Sequence, residues 1–554
     1  MVGASDFRPA LKDGTRPMTQ PLQTPIDVPA APGPADDPLI RDLRRLLGED
    51  AVLTDGEALA FHGQDVYAAG ASLRAVVRPA SRPALAQALG MLTAAGVAVV
   101  PRGGGMSYSG GYLAPTAGAV LVDTGALDQV IEINPHDMYV VAEAGVTWAA
   151  LDAALAPHGL RTPFWGPFSG IRATVGGSIS QNAVTYGTGL YGTAVDSLVG
   201  LEVALADGRL IRTGSWGHGT AAPFFRHFGP DLTGLFGGDA GALGIKTAAA
   251  FRLVKRRSIT TGLSFGFQDF QGLLGGMAAV AREGIASEGF GLDPFLQNQR
   301  LGMGDLKSDL KMLLAVGKAG RGPVEALWQM AKIAVAGRGF LKDVNYSAHY
   351  TVDAADRDEE RSLLRRVRAA VAPFGREIEN SMPTVVRAYP FPPLNHILGP
   401  KGERWVPVHG ILPFSRVGDF RTALEGLYAA RAEAMTRHKV LVAAMFSTVS
   451  TNAFLYEIAI YWEEARAAFH DRMLEPSAAA SLARYPANPE GTALVEALKA
   501  DIVDLFHRHG AAHLQVGRLY PLAADRDPAA DELLRSVKRW ADPAGLVNPG
   551  ALGL

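Results

Sequence analysis

An α+β fold in at least two domains is what this sequence predicts, and three observations carry the prediction. The chain has 554 residues, too many for a single hydrophobic core. Its first half alternates short β-rich runs with Gly, Pro and Asp turns. Its second half twice repeats a strand–helix–strand order and adds a further strand, the pattern of a helix-flanked antiparallel sheet. A hydrophobic content of 48% supports a folded chain, and a net charge of −2 gives no electrostatic basis for binding nucleic acid. The absence of cysteine excludes disulfides, thiolate metal sites and a cysteine nucleophile.

Taken in order, residues 1–36 are rich in Pro, Ala, Thr and Asp without apolar periodicity and read as a disordered leader lacking the apolar core of a secretory signal. Residues 37–255 form the first expected domain, with a helix over 81–95, a buried strand over 97–100, and a strand, Asp207-Gly208 turn and second strand within 201–212. Residues 256–504 form the second. Strands are expected at 346–352, 376–379, 405–412, 439–447 and 454–462, with helices at 356–374 and 417–438. A helix is expected over 492–509, and residues 505–554 return to the first domain. The stretch 305–342 interleaves seven basic and three acidic residues with apolar ones. It reads as a solvated helix on the second domain, and its pattern also suits an anionic membrane surface. With no run of about 18 apolar residues, the chain is expected to be cytoplasmic, with peripheral membrane contact and self-association left open.

The segment richest in chemistry is Pro101-Arg-Gly-Gly-Gly-Met-Ser-Tyr-Ser-Gly-Gly111. Five glycines in eleven residues serve no core, and successive N–H groups in such a turn form a nest for phosphate. The spacing is neither a Rossmann nor a Walker turn. Three further motifs follow: Val175-Gly-Gly-Ser-Ile-Ser-Gln-Asn182, the glycine-rich stretch 229–245, and Asp542-Pro-Ala-Gly-Leu-Val-Asn-Pro-Gly550.

In order and spacing these segments resemble the flavoprotein family of vanillyl-alcohol oxidase and p-cresol methylhydroxylase, which includes the FAD-linked D-lactate dehydrogenases. The resemblance implies a two-subdomain FAD-binding domain and a cap domain that holds substrate. It implies that Arg102, Gly103, Gly104, Gly105, Met106, Ser107 and Gly110 hold the pyrophosphate, and that Thr174, Gly177, Ser180 and Asn182 continue along the cofactor. Gly244 and Ile245 would approach the adenine end, and Asn548 the ring. Some relatives link flavin through a histidine on the first loop; Met106 stands there, so FAD is expected to be non-covalent. His396 and His409 are the cap histidines nearest the stretch used by another branch, and neither aligns with it.

For the substrate, two branches compete. The 2-hydroxy acid branch carries a pair of cap histidines and a Glu-His-Gly segment that bind a divalent metal. Here residues 448–460 contain no histidine, and the late segment is His513-Leu-Gln-Val-Gly-Arg518, so no metal is expected. The phenol branch binds a phenolate with tyrosines and an arginine. By that resemblance Tyr108, Arg518 and Tyr520 are the expected catalytic residues and Tyr191 lines the substrate pocket; Arg387 and Tyr389, placed before the Pro-rich 390–393 turn, are further pocket candidates. The order of Arg518 and Tyr520 is reversed from that branch, and Ala173 stands where it carries an acid. The expected function is hydride transfer from a phenolic or aryl alcohol substrate to flavin N5, with oxygen, a quinone or a cytochrome as electron acceptor. The alternatives are a D-2-hydroxy acid dehydrogenase, in which Arg518 holds the carboxylate, and a non-catalytic flavin-binding protein.

Overall fold

The computed structural model describes residues 37–301 and 344–554. The expected leader 1–36 and the basic stretch 305–342 lie outside the described residues. Among the described residues, no helix is long and apolar enough to cross a membrane.

The first half contains two sheets. In the smaller, Leu73–Val77, Ala119–Asp123 and Val99–Arg102 run parallel, and Val52–Leu53 adds an antiparallel edge. Its strands are continuous apolar runs because both faces are covered. The helix Arg82–Ala94, capped by Ser81, packs Leu85, Leu89 and Leu92 against Val77, Val99 and Val122. The second sheet is antiparallel, in the order Val130–Asn134, Tyr139–Glu143, Ile245–Arg252, Leu198–Ala204, Leu210–Arg212. The last two strands flank the expected Asp207-Gly208 turn, where Gly208 has φ 82°.

After Val254–Lys255 the chain enters a seven-stranded antiparallel sheet. Its order is Arg376–Ile378, Ile259–Phe267, Tyr346–Ala354, Glu288–Leu292, Leu441–Val449, Ala453–Trp462, Arg404–Pro413. The strands Ile259–Phe267 and Glu288–Leu292, with the helix Phe270–Glu283 between them, have no counterpart in the sequence reading. Helices Phe270–Glu283, Arg357–Val371, Phe414–Arg437 and Pro489–Arg508 share one core with the sheet, through Leu273, Val367, Phe420 and Ile502. In Ala453–Trp462 the side chains alternate, as a pleated strand requires. Phe454, Tyr456, Ile458 and Ile460 face this core, while Leu455, Glu457, Ala459 and Tyr461 line a cavity on the other side.

The sequence reading placed the return at residue 505, but the helix Pro489–Arg508 runs through that position and packs on the cap with Val495, Leu498 and Ile502. The chain rejoins the first half beyond it. Val99 N donates to Leu546 O at 2.8 Å, and Asn548 N donates to Val99 O at 2.7 Å, so the C-terminal segment extends the parallel sheet. Lys538, buried on the helix Pro528–Ala541, fixes this return by donating to Ala242 O, Val547 O and Asp542 Oδ2 at 2.6–2.8 Å.

Candidate functional site

Two cavities meet where the cap faces the first half. The first is a solvent-open cleft walled by the glycine loop, the helix Val175–Gln181 and the turn that precedes Ile245–Arg252. Arg102, Gly103, Gly104, Gly105, Met106, Ser107, Thr174, Gly177, Ser180, Gly244 and Ile245 all line it. The glycines are required by contacts between protein loops. A Cβ on Gly104 would lie 1.9 Å from Arg172 O, and one on Gly103 would lie 2.3 Å from Thr174 Oγ1. On Gly105, at φ 74°, a Cβ would run into the Arg102 guanidinium. Glycine therefore lets two loops close into one wall.

Beneath the cleft, Arg102 lies between the Phe61 and Tyr112 rings, with Asp123 3.8 Å from its Nη1. Burial alone would raise the Asp123 pKa; the His62 hydrogen bond and the Arg102 charge outweigh it and hold the carboxylate below its ordinary value. Lys246 pairs with Asp239, which also accepts from Gly241 N at 2.8 Å and so shapes the adjoining turn. Arg102 Nε, Gln181 Oε1 and Gln515 Oε1 are buried side-chain atoms on the cleft residues without a protein partner. A backbone cradle with unsatisfied polar atoms of both kinds fits a dinucleotide that carries phosphates and a hydrogen-bonding ring.

Three expected cofactor residues do not line the cleft; they hold its walls. Gly110 N donates to Asp65 Oδ2 at 3.0 Å. Asn182 ends the helix Val175–Gln181 in a left-handed conformation, φ 51°. Asn548 is fully buried, and its Nδ2 donates to Gly111 O and Ala240 O at 2.8 and 2.6 Å, fastening the C-terminal segment to both glycine turns. The sequence reading missed Gln181, Lys246 and Gln515 on the cleft wall. Gln181 lies inside a motif already recognised, whereas Gln515 reaches the site only through tertiary folding.

The second cavity lies under the cap sheet. Tyr108, Phe168, Phe290, Trp405 and Tyr461 supply aromatic walls, and Glu288, Arg387 and Glu457 supply charge. Met106, Pro167, Ser169, Ala183 and Gln515 line both cavities. Gln515 Nε2 donates to Tyr108 Oη at 2.9 Å, which leaves the Tyr108 hydroxyl hydrogen available as a donor. Burial first, then the charge of Glu457, raises the Tyr108 pKa well above its ordinary value, so the residue stays neutral.

Of the expected substrate and catalytic residues, Tyr108 and Arg387 line this cavity. Arg518 does not. Its guanidinium donates to Gly110 O, Asn548 Oδ1 and Pro549 O at 2.6–2.8 Å, and burial lowers its pKa to about 10. Tyr520 is buried behind the wall, accepting from His409 N at 2.9 Å and stacking on His513. Tyr191 lies against Arg161 and Arg252, and Tyr389 caps the helix Ser381–Ala388; neither lines the cavity. His396 lines it, edge-on to Phe168, while His409 is buried beside Tyr520 with its pKa lowered by burial to about 3.

Residues 73–214 match the family described as FAD binding domain. The mitochondrial D-lactate dehydrogenase [cytochrome] of Arabidopsis thaliana is 33% identical over 220 residues, 39% of this chain and 37% of that protein, so the match spans well under half of the relative's length. Among solved structures, alkyldihydroxyacetonephosphate synthase superposes with a TM-score of 0.65 at 15% identity, covering 96% of this chain and 87% of that one. Substrate-bound p-cresol methylhydroxylase gives 0.64 at 17% identity, covering 93% and 96%. Both share this fold along nearly the whole chain.

Proposed function

We propose that this chain, whose residues 73–214 are an FAD-binding domain of the p-cresol methylhydroxylase type, is an oxidoreductase that oxidises a para-substituted phenol or aryl alcohol held under the cap. The observation that carries the reading is the shared wall: Met106, Ala183 and Gln515 belong both to the cleft that fits the cofactor and to the aromatic cavity beside it. Arg102 and the loop 103–107 would hold the pyrophosphate, with Gln181 and Gln515 offering carbonyl oxygens to the polar groups of the cofactor. FAD, when bound there non-covalently, supplies the two-electron acceptor for a hydride.

The chain's own groups do the rest. Trp405, Phe168 and Phe290 enclose an aromatic ring and exclude water. Tyr108, oriented by Gln515, donates its hydroxyl hydrogen to the substrate oxygen. That bond stabilises the phenolate formed when the proton leaves, and so raises the population of the ion that releases hydride. Glu457, on the same wall, accepts the hydroxyl proton. Loss of that proton raises electron density at the para carbon and assists departure of hydride from the benzylic C–H. Arg518 has no part in this account, because its donors are spent on the C-terminal clamp.

The similarity to a D-lactate dehydrogenase favours a second reading, oxidation of a D-2-hydroxy acid. Anaerobic addition of 4-ethylphenol and of D-lactate to the FAD-loaded protein separates the two. Bleaching of the flavin by the phenol is the expected result. Bleaching by D-lactate alone would replace this reading with the second, and no bleaching across both classes would leave a flavin-binding protein without either activity.

A further inference from the structure

Among the described residues, Arg387 is the arginine that lines the cap cavity, and both of its terminal nitrogens are engaged. Nη1 donates to Glu288 Oε1 at 2.8 Å, and Nη2 donates to the two Asp353 oxygens at 2.9 and 3.1 Å. The guanidinium also lies 4.7 Å from the centre of the Trp165 ring. Asp353 is shared with the buried Arg161 at 3.0 Å and accepts from Thr260 Oγ1 at 2.7 Å. Glu288 is itself on the cavity wall, where it accepts from Gly187 N and Ser287 Oγ. Two guanidinium groups and two carboxylates therefore form a closed cluster without net charge.

We propose that Glu288 is a specificity-determining residue: by neutralising Arg387 it closes the cavity to ligands bearing a carboxylate and leaves uncharged para-substituted phenols as the class accepted. The proposal rests on the phenol reading above. Arg387 is already paired with two acids, so a substrate carboxylate that sought it would displace one of them or lie against their negative charge. The displaced acid would stay buried without its partner, which costs more than one new pair returns. Glu288 controls the choice because it lines the cavity, whereas Asp353 is held behind it by a second arginine.

The test is a binding titration of the FAD holoenzyme with 4-bromophenol and 4-hydroxybenzoate, read from the flavin absorbance. Neither compound has a benzylic C–H, so binding is measured without turnover. Wild-type protein is expected to bind the neutral phenol at least about tenfold more tightly. Glu288→Gln keeps an oxygen for Gly187 N and removes the charge. It is expected to tighten 4-hydroxybenzoate about tenfold, because Arg387 loses the charge that neutralises it and a bond to an ionised partner gains strength, and to move 4-bromophenol, which carries no carboxylate, by less than about threefold. Asp353→Asn, behind the wall, is expected to shift the ratio in the same direction and serves if Glu288→Gln fails to fold. Equal wild-type affinities, or a ratio unmoved in both variants, would overturn the role of Glu288 even while phenols still bleach the flavin. If no phenol bleaches the flavin, the phenol reading fails, and the affinity ratio still reports on Glu288. Binding of neither ring overturns both.

Discussion

The cofactor cleft and the cap cavity share a wall but are built in opposite ways. The cleft is made of backbone: short glycine motifs bring main chain against main chain, as where Gly104 meets the Arg172 carbonyl. The cavity is made of side chains from strands far apart in sequence, with Glu288, Met445 and Glu457 brought together by the register of an antiparallel sheet. A change in the cleft wall should therefore damage binding and folding together. A change in the cavity wall should alter chemistry while the flavin stays.

The largest effect is expected at Gly104. In Gly104→Val the new side chain has no room, because Arg172 O occupies the position its Cβ needs. The loops must separate, at a cost of about 3 kcal/mol, and purified protein should carry almost no FAD by absorbance. Wild-type flavin content in this variant would mean that the wall yields more easily than its contacts imply.

Arg518 sharpens the comparison, because it sits on the boundary. Removing its guanidinium in Arg518→Met leaves the carbonyls of Gly110 and Pro549 and the side chain of Asn548 without their donor. Denaturant unfolding should show a loss of about 3 kcal/mol, with flavin retention falling alongside it. An unchanged unfolding midpoint combined with weakened phenol binding would return Arg518 to the cavity.

A smaller effect is expected from pH. Burial holds His409 at about 3 and His513 at about 4, both below the ordinary 6.5. The unfolded chain therefore binds more protons than the folded one between those values, and stability falls as pH drops from about 6.5 towards 4. Thermal unfolding across that range should show Tm falling as pH falls; His409→Asn with His513→Asn should reduce the slope, leaving the share of His470, which burial also holds at about 4. The smallest effect is that of a chelator. With no histidine on residues 448–460, EDTA is expected to leave flavin reduction unchanged. Activity lost with EDTA and restored by zinc or manganese would favour the 2-hydroxy acid reading.

The same contrast explains what the sequence discloses. Gly103, Gly104, Gly105 and Thr174 are legible because a backbone wall needs particular residues at fixed local spacing. The cap strands 405–412 and 454–462 are legible from their apolar content, and the structure extends each by only one residue at either end or at one end. Glu288 and Glu457 are not, since a single acid in an alternating strand carries no local sign that its face is covered by a second domain. Arg518 and Tyr520 mislead for the same reason: they lie near the site in sequence, but whether a donor faces the cavity or a carbonyl is settled only by packing.

The central claim is that a substrate in the cap cavity meets the cofactor across the wall formed by Met106 and Gln515, with Tyr108 as the donor to its oxygen. Stopped-flow reduction of the flavin by 4-ethylphenol under anaerobic conditions, comparing wild type with Tyr108→Phe, tests it most directly. Phenylalanine keeps the ring that packs against Trp405 and His409 and removes only the hydroxyl. The account predicts unchanged FAD content and reduction slower by about 10- to 100-fold, the value of one hydrogen bond to the reacting phenolate. Equal reduction rates at equal flavin content would contradict it.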